Sequence, residues 1–181
     1  MSFPNEKEAQ ELLKKYVSDE YLLHHSLMVA TAMKGYARLL NENESLWYVT
    51  GLLHDIDFEK YPDTHPKESL VWFKEWDYPE DIIHAVEAHA YGYNGYNVLP
   101  STKLANALLA CDEICGLMYA YKKINAIPYK DMKASSIKKR LAEKSFAVKI
   151  DREGIYLGCQ GLGVSIDEHI SNLLRFLSEL N

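Results

Sequence analysis

The chain has 181 residues, 48% hydrophobic and 25% charged, which suits one domain, or a core with a small appendage, and excludes a disordered chain. Its formal net charge of −6 excludes a broad nucleic-acid footprint, the longest basic cluster being Lys138-Lys139-Arg140. An acidic protein that handles phosphate therefore needs a local source of positive charge, which a bound metal would supply.

Helical periodicity recurs from end to end and strand-like alternation is almost absent, so the spacing predicts an all-α fold with helices over 4–16, 19–41, 44–54, 66–76, 79–91, 101–124, 132–143, 151–160 and 166–180. The opening MSFPNEKEAQELLKKY puts Pro4 at a first-turn position and has no apolar core behind its charges, as a cytoplasmic protein would. On the second helix Leu22, His25, Val29, Met33, Tyr36 and Leu40 form one stripe, so His25 faces inward and His24 does not. The third helix, SLWYVTGLLHD, is apolar nearly all round and delivers His54 and Asp55 together from its buried end. Residues 55–66, DIDFEKYPDTHP, and 91–100, YGYNGYNVLP, break the pattern and read as loops, the usual carriers of function.

On the fifth helix, which has Pro79 in its first turn, Ile82, Val86, His89 and Tyr93 share a face, while His84 falls with Glu87 on the solvated side. The long helix LANALLACDEICGLMYAY carries the stripe Ala105, Leu108, Asp112, Cys115 and Tyr119 with one carboxylate at its middle. Cys111, Cys115 and Cys159 make an odd count without zinc-finger spacing, and the 111/115 pair reads as small core residues in a reducing compartment. Residues 125–131 are placed as a hinge, and Ser165 with Glu168 as a capping box. The chain is read as a single domain over 1–181, with a core over about 1–124 and a small C-terminal helical extension over about 125–181. No run approaches the roughly 18 apolar residues of a membrane span, so no membrane partner is expected.

Each inward polar residue has an ordinary explanation by itself. A lone imidazole on an apolar stripe is more often a hydrogen-bonded core residue, and Asp112 alone is equally well explained by a buried ion pair. Two imidazoles and two carboxylates converging from three helices change that balance: His25, His54, Asp55 and Asp112 match what a divalent ion takes from a helix-bundle core.

In that order these residues resemble the signature of the HD superfamily of metal-dependent phosphohydrolases. The matching pieces are HSLMVA (25–30), GLLHDID (51–57), HPKES (65–69), IIHAVEAHAY (82–91) and LLACDEICGLM (108–118), and SIKKRLAEKSFA (136–147) and LGVSIDEHI (162–170) are similar to one branch of it. The resemblance implies an HD-domain helical bundle, a first metal on His25, His54, Asp55 and Asp112, and a second on His89 and His65. His65 follows the HD pair by only eleven positions, so it is placed at the rim, with a loop-to-helix cap as the alternative. The implied reaction is hydrolysis of a small phosphorylated metabolite or nucleotide by metal-activated water, with Mn, Co, Ni, Mg, Zn or Fe as the ion. Asp55 would orient the water. The acidic loop would supply a general acid or base, Asp57 first, with Glu59 and Glu68 behind it, and Glu113 would support a histidine from behind. Lys60, Lys67, Lys103 and the 138–140 cluster are phosphate candidates. A di-iron oxygenase of HD type and a non-catalytic metal-containing module are the competing readings; no nucleic-acid duplex is expected as partner, and a homo-oligomer is left open.

Overall fold

The computed structural model describes residues 3–180; residues 1, 2 and 181, which the single-domain reading includes, lie outside the described residues. Among the described residues the chain is all-helical: α1 (Glu6–Tyr16), α2 (Glu20–Leu40), α3 (Glu44–Leu53), α4 (Lys67–Glu75), α5 (Glu80–His89), α6 (Lys103–Asn125), α7 (Ala134–Ala142), α8 (Arg152–Leu162) and α9 (Ile166–Phe176), with short 3₁₀ turns at Tyr129–Asp131 and Leu177–Glu179. No helix among them is long and apolar enough to cross a membrane.

Local chemistry sets the helix ends. Pro4 lies outside α1, because Asn5 takes the cap: its side chain accepts from the N–H groups of Lys7 and Glu8, and the Glu8 carboxylate accepts from the Asn5 N–H. Pro79 likewise precedes α5 rather than opening it. Ser165 caps α9 by accepting from the Glu168 N–H. The predicted helix 166–180 is shorter as an α-helix, ending at Phe176 and tightening into the 3₁₀ turn.

Two close helix contacts set the frame of the site. A Cβ on Gly51 would stand 2.9 Å from Ala30 Cα and 2.8 Å from Met33 Cγ, so only glycine lets α3 lie this tightly on α2. A Cβ on Gly158 would stand 2.5 Å from the Ala110 nitrogen, and its absence lets α8 lie directly on α6. Helices α2 and α6 pack on one another between these two contacts. A single apolar core runs from Ala9 in α1 to Leu177 after α9 and includes Cys111, Cys115 and Cys159, all buried.

The segment 125–131, read from sequence as a hinge, is pinned instead. Tyr129 is fully buried, with His24 Nε2 at 2.8 Å and Met28 Sδ at 3.0 Å from its hydroxyl. The apolar surface of that ring holds the chain against α2 more firmly than a hinge allows.

Candidate metal centre

His54 stands at the C-terminal end of α3, where its Nδ1–H donates to the Gly51 carbonyl at 2.8 Å. That bond fixes the tautomer and leaves Nε2 as a bare acceptor. Nε2 is buried without a hydrogen-bond partner, 3.3 Å from Asp55 Oδ2 and 3.4 Å from Asp112 Oδ1. His25 on α2 adds its Nε2, 2.9 Å from Asp112 Oδ1 and 3.9 Å from Asp55 Oδ2. One atom from each of the four residues lies within 4.8 Å of the others. Ligands ~2.1 Å from an ion stand ~3 Å apart when adjacent and ~4.2 Å apart when opposite, so the set fits one divalent ion.

A second group shares Asp55. Its other oxygen, Oδ1, faces His65 Nε2 at 3.2 Å and His89 Nε2 at 3.5 Å, and those two nitrogens are 3.0 Å apart. His89 Nδ1–H donates to the Val86 carbonyl in a short bond, repeating the device used at His54 one turn back along a helix. His65 Nδ1–H donates to Asp57 Oδ1 at 2.6 Å. With both Nδ1 positions donating to oxygen, the two Nε2 atoms face one another and need a proton or a metal ion between or beside them. The donor chemistry of both groups therefore fits a metal.

The electrostatics agree. Burial opposes a charge on His65, yet the Asp55 and Asp57 carboxylates outweigh it and push the imidazole up to about 9; His54 is raised well above its ordinary value against the same opposition, by Asp55 and Asp112. Burial likewise opposes ionisation of Asp55 and Asp112, but His54 and His65 hold the first, and His54 and His25 the second, well below the usual carboxylate range. A site that pulls a proton onto its imidazoles pulls in a divalent ion for the same reason.

Several sequence expectations change here. His65 is neither a rim residue nor a cap: it is buried at the middle of the second group. Asp57 does not face the cavity as a general acid or base would. It is fully buried, and its oxygens accept from His65 Nδ1 and from the Glu68 and Ser69 N–H groups, so it holds His65 and caps the first turn of α4 together. Glu59 accepts from the Ser18 hydroxyl and from the Ser18 and Asp19 N–H groups, fastening the loop to the start of α2. Glu68 touches this network only through its backbone. Glu113 supports no histidine; it lines the cavity, and burial with the charges of Asp112, Asp55 and Asp151 pushes it up to about 8. Of the phosphate candidates, Lys103 pairs with Glu42, Lys138 with Asp167 and Arg140 with Glu143, and Lys60 lies over the Tyr16 ring.

The centre opens into a cavity of about 940 Å³. Besides the ligands, its lining includes Tyr93, which the spacing put on the His89 face, and residues the sequence reading passed over: Tyr21, Phe58, Tyr91, Lys149, Asp151 and Glu153. Tyr21 had a visible signal, since it lies four residues before His25 on the same helix. The aromatic loop is fastened over the site by Asn94, whose Nδ2 donates to the His65 carbonyl at 2.9 Å. His84 takes no part; Ser101 donates to it through its backbone N–H.

No curated protein and no solved structure was found to match the chain. The HD domain family model matches residues 22–142, more than half of the chain, and takes in all six residues of the centre. The chain belongs to the HD-domain superfamily, whose members are in general metal-dependent phosphohydrolases.

Proposed function

We propose that the protein hydrolyses a phosphate monoester of a small metabolite or nucleotide. The observation that carries this reading is the shared carboxylate: Asp55 turns one oxygen to each ligand group, and both groups open on one cavity. His25, His54, Asp55 and Asp112 would hold one divalent ion, and Asp55, His65 and His89 a second. Such ions supply Lewis acidity toward a phosphoryl oxygen and toward water.

The chain's own residues would do the rest. Asp55, charged at neutral pH, accepts a hydrogen bond from the attacking water and orients it. The water oxygen forms a bond to phosphorus and gives up a proton, the ester P–O bond breaks, and its electron pair leaves on the alcohol oxygen, which takes up the proton the water released; phosphate and free alcohol are the products. Asp57 positions His65 rather than exchanging protons with substrate. The Tyr21 hydroxyl, pushed up to about 12 by burial and by Asp112 and Asp55, stays protonated and can donate to a phosphoryl oxygen. The catalytic unit includes α8, which contributes Glu153, Gly154 and Leu157 to the cavity.

The test is turnover of phosphomonoesters, nucleotides and cyclic nucleotides by protein loaded in turn with Mn²⁺, Co²⁺, Ni²⁺ and Mg²⁺. Silence across that panel would sink the reading. The convergence of His65 and His89 also favours a di-iron oxygenase, which needs both as ligands. Two irons per chain with substrate-dependent oxygen uptake would establish that alternative, and a metal count of one would remove it.

A further inference from the structure

The cavity is lined unevenly. At its floor lies the ligand cluster, against which His54 Nε2 is fully buried and unpartnered. Beyond the cluster the lining carries three more carboxylates, Glu113, Asp151 and Glu153, against one cationic side chain outside the centre, Lys149. Elsewhere on the chain carboxylates find cations: Glu6 meets Lys34, Glu42 meets Lys103, Glu44 meets Arg38 and Asp167 meets Lys138. Among the described residues, the three cavity carboxylates make no such pair. Asp151 accepts from the Glu153 N–H, so a backbone dipole fixes its position with no cation paired to it.

Aromatic faces share the same lining. Tyr21, on the wall beside Glu113, and Tyr91, Tyr93 and Phe58 on the loops all border the cavity. Carboxylates and aromatic rings around one space are the surroundings an ammonium group takes up, through charge pairing and through attraction to ring faces. They are a poor setting for a second phosphate, which would meet several like charges and one lysine.

We propose that the ester cleaved here is a phosphomonoester whose alcohol carries a protonated amine, with its single phosphate at the metal floor and its ammonium at the Asp151–Glu153 wall. This rests on the phosphohydrolase reading and adds the substrate's charge to it. The cavity volume suits a small molecule of this kind.

Three phosphomonoesters of nearly equal size separate the possibilities: 2-aminoethyl phosphate, 2-hydroxyethyl phosphate and phosphoglycolate, which present an ammonium, a hydroxyl and a carboxylate. Calorimetry on the metal-loaded protein reads binding, and phosphate release reads turnover, with p-nitrophenyl phosphate as a charge-neutral control for hydrolysis itself. The expected result is at least 10-fold tighter binding and higher kcat/KM for the aminoethyl ester than for the hydroxyethyl ester, with phosphoglycolate weakest. The double variant Asp151→Asn/Glu153→Gln keeps shape and the helix cap, and should shrink the amino-to-hydroxyl ratio severalfold. Equal binding of the three, or a preference for phosphoglycolate, would overturn the proposal while p-nitrophenyl phosphate turnover left the phosphohydrolase reading standing. No hydrolysis of any ester, the control included, would overturn both.

Discussion

His54 and His169 are both fully excluded from solvent, and they respond to burial in opposite ways. His169 on α9 uses both nitrogens: Nε2–H donates to the Ala110 carbonyl at 3.0 Å, and Nδ1 accepts from the Tyr36 hydroxyl at 2.5 Å. With no carboxylate against it, burial lowers its pKa to about 4, so the ring is neutral and ties α9 to α6 and α2. His54 uses only Nδ1, on the Gly51 carbonyl, and turns a bare Nε2 toward two carboxylates that raise it despite the same burial. Burial is common to both. What separates a structural imidazole from a ligand is the uncommitted nitrogen and the charge facing it.

The largest test of that contrast is to remove each ring. His54→Ala deletes a ligand atom and should weaken metal binding by more than the ~10–100-fold that loss of an outer partner costs, with activity gone and the helical circular dichroism retained. Full metal content in that variant, measured by elemental analysis, would break the comparison. His169→Phe keeps the ring volume but takes the acceptor from the Tyr36 hydroxyl and the second donor from the Ala110 carbonyl, which keeps its bond within α6. It should lose about 1–3 kcal/mol in urea denaturation with metal content unchanged, the cost of one buried group left unpaired.

The fold and the convergence of His25, His54, Asp55 and Asp112 were legible in the sequence for one reason: both are written in helical periodicity. His25 and Asp112 lie on apolar stripes, and His54-Asp55 ends a helix that is apolar all round, so their inward direction follows from spacing alone. The second group depends on a loop. His65 reaches the centre because residues 55–66 fold back through successive turns and because Asp57 grips its Nδ1, and neither is encoded in a period. The partners of Asp57 are hidden for the same reason: an acidic residue in a short loop looks solvated or catalytic until its hydrogen bonds are known. Lys149, Asp151 and Glu153 were out of reach as well, since they meet the cavity only once Gly158 brings α8 onto α6.

Asp57→Asn sharpens the contrast on a residue between the two classes. An amide can still accept from His65 through its oxygen, but its NH₂ cannot accept from the Glu68 and Ser69 N–H groups that now bond to Oδ2. The amide must therefore satisfy one side and fail the other. Metal binding at the second group should fall ~10–100-fold while the first group keeps its ion, so a titration that saturates at two ions per chain in the wild type should show one tight step and one weakened step. Two unchanged steps would mean that Asp57 only caps α4.

The smallest effect is the pH dependence that His169 imposes on stability. Its folded pKa of about 4 lies below its ordinary value of 6.5, so between those values the unfolded chain binds the proton and the folded chain does not. The stability associated with the neutral ring is therefore complete above pH 6.5, falls as the pH drops from 6.5 toward 4, and changes no further below that. The slope in that window is at most ~1.4 kcal/mol per pH unit. Because the metal ligands titrate too, the informative quantity is the difference between wild type and His169→Phe in urea denaturation at each pH. That difference should shrink steadily from pH 6.5 to pH 4; a gap that stayed constant would mean that His169 binds its proton in the folded chain as readily as in the unfolded one.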